Sequence, residues 1–196
     1  MSRLLWWPSI EYPRPRSGVG EEVRMAMDVK AMEKIRRTLE AFAYIASSNP
    51  RKSNMYNVLK VFYLADKMHM ERYGRFIFDE EYAALDKGPV PSKAYNLLKE
   101  LRDKKQLSCG LTAPVSLNGH SVIVERKFDA RLFSGSDLKC IDEVIKLSQT
   151  KDLGEISHDQ AWNKSRKEGY HIMPENFILD ALKDSALLKE LVSNRY

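Results

Sequence analysis

Between Asn54 and Gly74 the chain carries a helix-length run that is apolar on nearly every side. Met55, Val58, Leu59, Val61, Phe62, Leu64, Ala65 and Met68 recur at helical spacing, and only Asn57, Lys60, Lys67 and Glu71 form a narrow polar strip. A helix this apolar has no broad face to give to water, so it belongs in the middle of a fold with other elements packed around it. Its main stripe steps through Met55, Leu59, Phe62, Asp66, His69 and Tyr73 in increments of four and three, which puts two ionisable side chains on the core-facing side. Asp66 and His69 are within reach of each other at this spacing. One reading is a carboxylate that orients an imidazole for acid–base work; the other is a buried pair whose members satisfy each other's hydrogen bonds. The second is the expectation, because no nucleophile lies at a recognisable spacing from the pair.

The elements around this helix follow from local signals. A first helix is expected from Asp28 as N-cap, with Met32, Ile35, Leu39, Phe42 and Ala46 on one face, and it must stop before Pro50. Ser53 or Asn54 caps the central helix, and Gly74 suits the left-handed residue that closes it. Beyond it, Phe76 to Phe78 and Tyr82 to Leu85 read as extended, Gly88 to Pro91 (GPVP) as a rigid turn with a strained backbone at Gly88, and Ser92 as the cap of a third helix carrying Tyr95, Leu98 and Leu101. Val115, Leu117, Asn118, Gly119, His120, Val122 and Val124 predict a β-hairpin turning at Asn-Gly. Ser136 opens a helix with Leu138, Ile141 and Ile145 inward, and a Ser157/Gln160 capping box precedes a short helix bearing Trp162. Pro174 starts the last segment, with Ile178, Ala181 and Leu182, then Leu187, Leu188, Leu191 and Val192, facing inward. The fold class expected is mainly α (α+β): a compact helical domain over residues 25–196 around a buried central helix, with a small β-hairpin. Residues 1–24, with Pro8, Pro13, Pro15, Gly18 and Gly20, read as a flexible N-terminal tail, or else as one whose Leu4, Leu5, Trp6 and Trp7 anchor a partner or another part of the chain.

Composition narrows the functional classes. The 32 Lys and Arg against 27 Asp and Glu leave a net charge of +5, spread in mixed-sign clusters, which permits an acidic partner without demanding nucleic acid. Arg36, Arg37, Arg51 and Lys52 with Tyr56 make a modest basic cluster. With the hairpin, it carries the alternative of a small nucleic-acid-binding transcriptional regulator with a winged arrangement. Cys109 and Cys140 are read as buried, reduced thiols of a cytoplasmic protein, and no run is apolar enough to span a membrane. His69, His120, His158 and His171 are scattered singly, so no metal is expected, and no glycine-rich phosphate loop calls for a cofactor.

The string from Lys60 to Leu98, KVFYLADKMHMERYGRFIFDEEYAALDKGPVPSKAYNLL, resembles the signature of the Panacea-domain, SocA-like antitoxins of toxin–antitoxin systems. The matching positions are Lys60, Tyr63, Leu64, Ala65, Asp66, His69, Tyr73 and Gly74 in the helix, then Ile77, Tyr82, Ala84, Gly88, Pro89 and Val90. Ser157, His158 and Trp162 in ISHDQAW resemble a second, C-terminal element of the family. The resemblance implies a mainly helical domain from a bacterial or phage setting that is not an enzyme and that binds and neutralises a cognate protein toxin encoded beside it. It also implies, in one branch, an adaptor role toward a bacterial protease.

A domain of that kind needs an exposed patch with a few anchor side chains, aromatic or arginine. The candidates just beyond the central helix are Arg75, Phe76, Phe78 and Tyr82, with Lys60 and Lys67 along its polar strip; Phe78 and Tyr82 are equally readable as side chains that cap the core.

Overall fold

The computed structural model describes residues 21–183, with side chains from Val29 onward. Residues 1–20 and 184–196 lie outside the description, and with them the tail or anchor reading of Leu4 to Trp7 and the continuation through Leu187 to Val192. Among the described residues the architecture is mainly helical, with two small antiparallel two-stranded sheets.

The centre is α2 (Met55–Tyr73), as its all-round apolar pattern requires. Asn54 is its N-cap, its side chain accepting from the Asn57 N–H, and Gly74 closes it in the left-handed region at φ 67°. α1 (Glu21–Ser48) lies along one side. It starts a full two turns before Asp28, which does not cap it; residues 21–24 are therefore helical and do not belong to a tail. The strong helix formers around Asp28 carry the helix through it.

After α2 the chain bends at 77–78 and forms no strand over 76–78, then forms β1 (Tyr82–Leu85) and β2 (Gly88–Pro91), paired antiparallel with Tyr82 opposite Pro91 and Leu85 opposite Gly88. GPVP is thus a strand and not a turn; the turn is Asp86–Lys87. Prolines are tolerated here because β2 is an edge strand. The other edge of β1 is covered by residues 171–173, through Ala84 N–H to His171 O at 2.8 Å and Met173 N–H to Tyr82 O at 2.7 Å.

Pro91 rather than Ser92 occupies the N-cap of α3 (Ser92–Lys104), and Ser92 begins the helix as a buried residue whose hydroxyl has no partner. β3 (Val115–Asn118) and β4 (Ser121–Val124) form the expected hairpin, with its loop shifted by one residue to Gly119–His120. Only Gly119 has positive φ there, 59°, so one left-handed residue suffices where two were expected.

α4 (Gly135–Thr150) is capped by Ser134, not Ser136, in a reciprocal box with Asp137. The predicted Ser157/Gln160 box is also displaced: Ser157 ends α5 (Leu153–Ser157), and Asp159 caps α6 (Gln160–Lys167) by accepting from the Trp162 N–H. In both cases a neighbouring residue had the side-chain oxygen better placed for the first free N–H groups. Pro174 is the residue before α7 (Glu175–Asp180) rather than its first.

The main core lies between α1, α2, α3, α4 and the β3–β4 hairpin, and includes Phe42, Val58, Phe62, Ala65, Leu98, Val122, Ile141 and Val144. Phe62 stands at its middle, its ring stacked on Phe78 at 4.0 Å and tilted against Phe42 at 5.4 Å. A second cluster joins Tyr63 and Tyr82 to Met173, Phe177 and Ile178. Phe62→Ala should cost about 3–5 kcal/mol in denaturant unfolding, because three rings lose their mutual contacts. Ile123→Ala, at a position 43% exposed on β4, should change stability by less than about 0.5 kcal/mol.

Candidate functional site

Polar side chains on successive turns of α2 tie four separate parts of the molecule to it. Lys60, 1% exposed, donates from Nζ to the Pro89 carbonyl of β2 at 2.9 Å. The Tyr63 hydroxyl donates to Asp159 Oδ2 at 2.8 Å, and Lys67 makes an ion pair with the same oxygen, which ties α2 to the start of α6. Asp66, fully buried, accepts the N–H groups of Ile77 at 2.7 Å and Phe78 at 2.9 Å on Oδ1, and the Tyr82 hydroxyl at 2.6 Å on Oδ2. One carboxylate thus pins the bends after α2 and the first residue of β1.

His69 does not bond to Asp66, contrary to the expected pair. Its Nδ1 meets the Arg75 carbonyl at 2.8 Å and its Nε2 the Ser136 hydroxyl at 3.0 Å. A carbonyl can only accept, so Nδ1 carries the hydrogen, and Nε2 accepts from Ser136 in the neutral ring. Burial lowers the His69 pKa from its ordinary value and favours that neutral form. The neighbouring Asp137 receives Arg75 at 2.6 Å, Arg37 at 2.7 Å and the Ser134 N–H at 2.9 Å. Burial opposes its charge, but these donors together hold its pKa below the usual carboxylate value. Spacing put Asp66 and His69 within reach of each other, but each found a stronger partner on another element.

The C-terminal signature closes on the same helix. The His158 ring stacks on Trp162 at 4.1 Å and 12°, and the Trp162 indole N–H donates to the Leu85 carbonyl at 2.9 Å. Gly88 lies against this junction at φ +94°. A Cβ there would stand 2.5 Å from Lys60 Nζ, 2.8 Å from Ser157 Oγ and 2.9 Å from His158 Cδ2. Both the backbone angle and the close approach of Lys60 therefore require glycine at this point of the strand. Pro89, beside it, supplies the carbonyl that Lys60 reaches.

The expected patch is largely interior. Phe78 is 8% exposed and Tyr82 2%, so these two belong to the core, and Lys60 is buried beneath the Tyr56 ring at 5.3 Å rather than on a solvated strip. Lys67 is mostly covered by its pairing with Asp159, Phe76 is half-buried between clusters, and Arg75 keeps 36% of its side chain exposed. Tyr73, expected to face inward, is 45% exposed, with its ring 4.6 Å from His69. Sequence reasoning missed Asp159 and Asp137. Their signals were present as N-cap and capping-box residues at the starts of α6 and α4, but cap chemistry does not show which distant side chain will share the carboxylate.

The polar groups that hold the scaffold lie within the stretch that a family model matches. The model of the antitoxin SocA-like family, Panacea domain, matches residues 58–163, more than half of the chain. The chain belongs to the SocA-like, Panacea-domain antitoxin family. No curated protein and no solved structure matches it. The Panacea match begins on the second turn of α2 and ends on α6, so it contains every one of the four ties described above. No helix among the described residues is long and apolar enough to cross a membrane, and no group of three or more His, Cys, Asp or Glu among them is arranged to hold a metal ion.

Complete burial pushes the Asp66 pKa from 3.8 up to about 7, outweighing the hydrogen bonds from Tyr82, Phe78 and Ile77. Because the folded value is the higher one, the folded protein binds the proton more tightly. The contribution is fully present below the unfolded pKa and is lost as pH rises toward and through about 7. Asp66→Asn keeps an acceptor for the two N–H groups and a donor for Tyr82, so relative to this variant the wild type should lose about 2 kcal/mol between about pH 5 and pH 8, read from denaturant melts at each pH. Asp66→Ala, which leaves three buried donors without an acceptor, should cost about 1–3 kcal/mol at pH 5, and less toward pH 8 as ionisation of Asp66 weakens the wild type itself. Gly88→Ala should cost at least about 2 kcal/mol in the same melts, from strain at positive φ and displacement of Lys60.

Proposed function

We propose that this chain is the antitoxin of a toxin–antitoxin pair and that it neutralises a cognate protein toxin by direct binding. The observation that carries this reading is the Panacea-domain match over residues 58–163. The geometry supports a binding role over turnover: Asp66 and His69, the side chains a catalytic reading would use, are spent on hydrogen bonds to Ile77, Phe78, Tyr82, Arg75 and Ser136 inside the molecule. Of the six side chains first considered for the interface, Lys60, Phe78 and Tyr82 are buried and Lys67, Arg75 and Phe76 are partly exposed.

The basic cluster that favoured nucleic acid is largely occupied within the fold. Arg36 pairs with Asp129, Arg37 with Asp137, and Lys52 donates to the Ser148 carbonyl. Those pairs remove much of the free positive charge that phosphate binding needs, which supports a protein partner.

Co-expression with the product of the adjacent gene tests the proposal. The expected outcome is growth arrest by the neighbour alone, restored growth with both, and co-elution of the two chains at fixed stoichiometry. Restored growth without a complex, or a neighbour that is harmless alone, would sink the reading.

A further inference from the structure

At the start of α4 a chain of hydrogen bonds runs in one fixed direction toward His69. Ser134 Oγ receives the Asp137 N–H at 3.2 Å and the Arg75 guanidinium at 3.2 Å, which occupies both of its lone pairs. Its own hydrogen is left for Ser136 Oγ at 2.9 Å. Ser136 in turn gives its hydrogen to His69 Nε2 at 3.0 Å, and the Nδ1–H of that ring is held by the Arg75 carbonyl at 2.8 Å. A hydroxyl that donates to a neutral imidazole, with the far nitrogen of the ring oriented by an acceptor, is the arrangement that activates a serine as a nucleophile. The two residues stand 67 apart in the chain, so no spacing in the sequence points to the pair.

The surroundings suit that chemistry. Burial holds the His69 pKa below its ordinary value, so the ring is free to take a proton at neutral pH. A proton arriving on Nε2 meets Asp137 Oδ1 at 3.2 Å, and the Ser134 hydroxyl steadies the oxygen that released it. Ser136 itself is half-buried, while Ser134 and Gly135 just before it are exposed, and so is Tyr73, whose ring lies 4.6 Å from His69. The carboxylates nearby are already matched, Asp137 by Arg37 and Arg75 and Glu143 by Arg72. Lys139, exposed one turn beyond Ser136 on the same side of α4, adds a further cation beside the opening, which favours an anionic reactant.

We infer that Ser136 is a covalent modification site, an acyl acceptor for a small acyl phosphate, with His69 as its base. Ser136 Oγ forms a bond to the acyl carbon, and the bond from that carbon to the phosphate oxygen breaks. The proton passes from Oγ through His69 Nε2 to the departing phosphate, so the products are an acyl-serine and inorganic phosphate. His69 is fully buried beneath the serine; the acyl group then stands between the base and water, and the ester accumulates instead of turning over. The inference is therefore compatible with a binding role and does not depend on it. An acylated Ser136 has no hydrogen to give to His69, so the modification removes one of the ties between α2 and α4.

The test incubates the full-length chain with acetyl phosphate and follows intact and peptide masses over time. A single acetyl group on the peptide carrying Ser136, gained faster than any lysine is labelled, is the expected result. Ser136→Ala should lose this label while its melting curve stays cooperative, because Ser134 and not Ser136 caps α4. His69→Gln should slow it by at least about a hundredfold. If His69→Gln does not fold, the pH profile of the wild type takes its place: the rate should fall on the acid side in step with the His69 titration followed by NMR. An unmodified chain, acetylation confined to lysines, or a Ser136 rate indifferent to His69 overturns the inference and leaves the antitoxin reading standing. Transfer of the phosphoryl group to Ser136 in place of the acetyl group overturns it as well.

Discussion

A carboxylate with no water around it must be surrounded by donors, and the position of Asp66 commits the rest of this fold to supplying them. Its two oxygens are served by the backbone of Ile77 and Phe78 and by the hydroxyl of Tyr82. To bring those donors in, the chain has to turn sharply after Gly74, pass over the C-terminal half of α2 and start β1 where Tyr82 points inward. Phe78 is carried along by the same turn onto the face of Phe62. Polar satisfaction and apolar packing are thus one requirement here.

The same logic repeats along α2. Lys60 holds the hairpin, Tyr63 and Lys67 hold the start of α6, and His69 holds the turn at Arg75 and the start of α4. Apolar contacts alone are non-directional, and many packings of helices around a greasy centre would bury similar area. Hydrogen bonds at four levels of one helix admit few of these packings. Burial lowers the Lys60 pKa to about 7 against the attraction of Asp152 and pushes Asp66 up to about 7. Each charge therefore opposes folding at neutral pH, and the apolar core between α1, α2, α3, α4 and the β3–β4 hairpin must offset that cost.

What could be read from the residues was what depends on near neighbours. The α2 run, the Asn54 cap, the left-handed Gly74, the positive φ of Gly88 and the β3–β4 hairpin all follow from spacing and backbone chemistry within a few residues. What could not be read was pairing at a distance. Periodicity placed Asp66 and His69 on an inner face but gave no information about Tyr82 or Ser136 as their partners. Phe78 and Tyr82 were equally readable as interface anchors and as caps of the core, and tertiary contacts decide it by drawing both rings inside. Lys60 read as part of a solvated strip because a lysine normally is; the Pro89 carbonyl that accepts its hydrogen bond lies 29 residues away.

The tie between Tyr63 and Asp159 closes over 96 residues of chain. On the ribosome, α2 emerges long before its partner does, and until Asp159 is free the hydroxyl of Tyr63 and the amine of Lys67 have no carboxylate to meet. The central helix therefore spends most of synthesis as an apolar segment without its proper cover. A Panacea-domain chain that stops short of α6 has made nearly all of its core residues and still lacks the group that locks them, which makes late truncations candidates for rapid clearance rather than for partial activity.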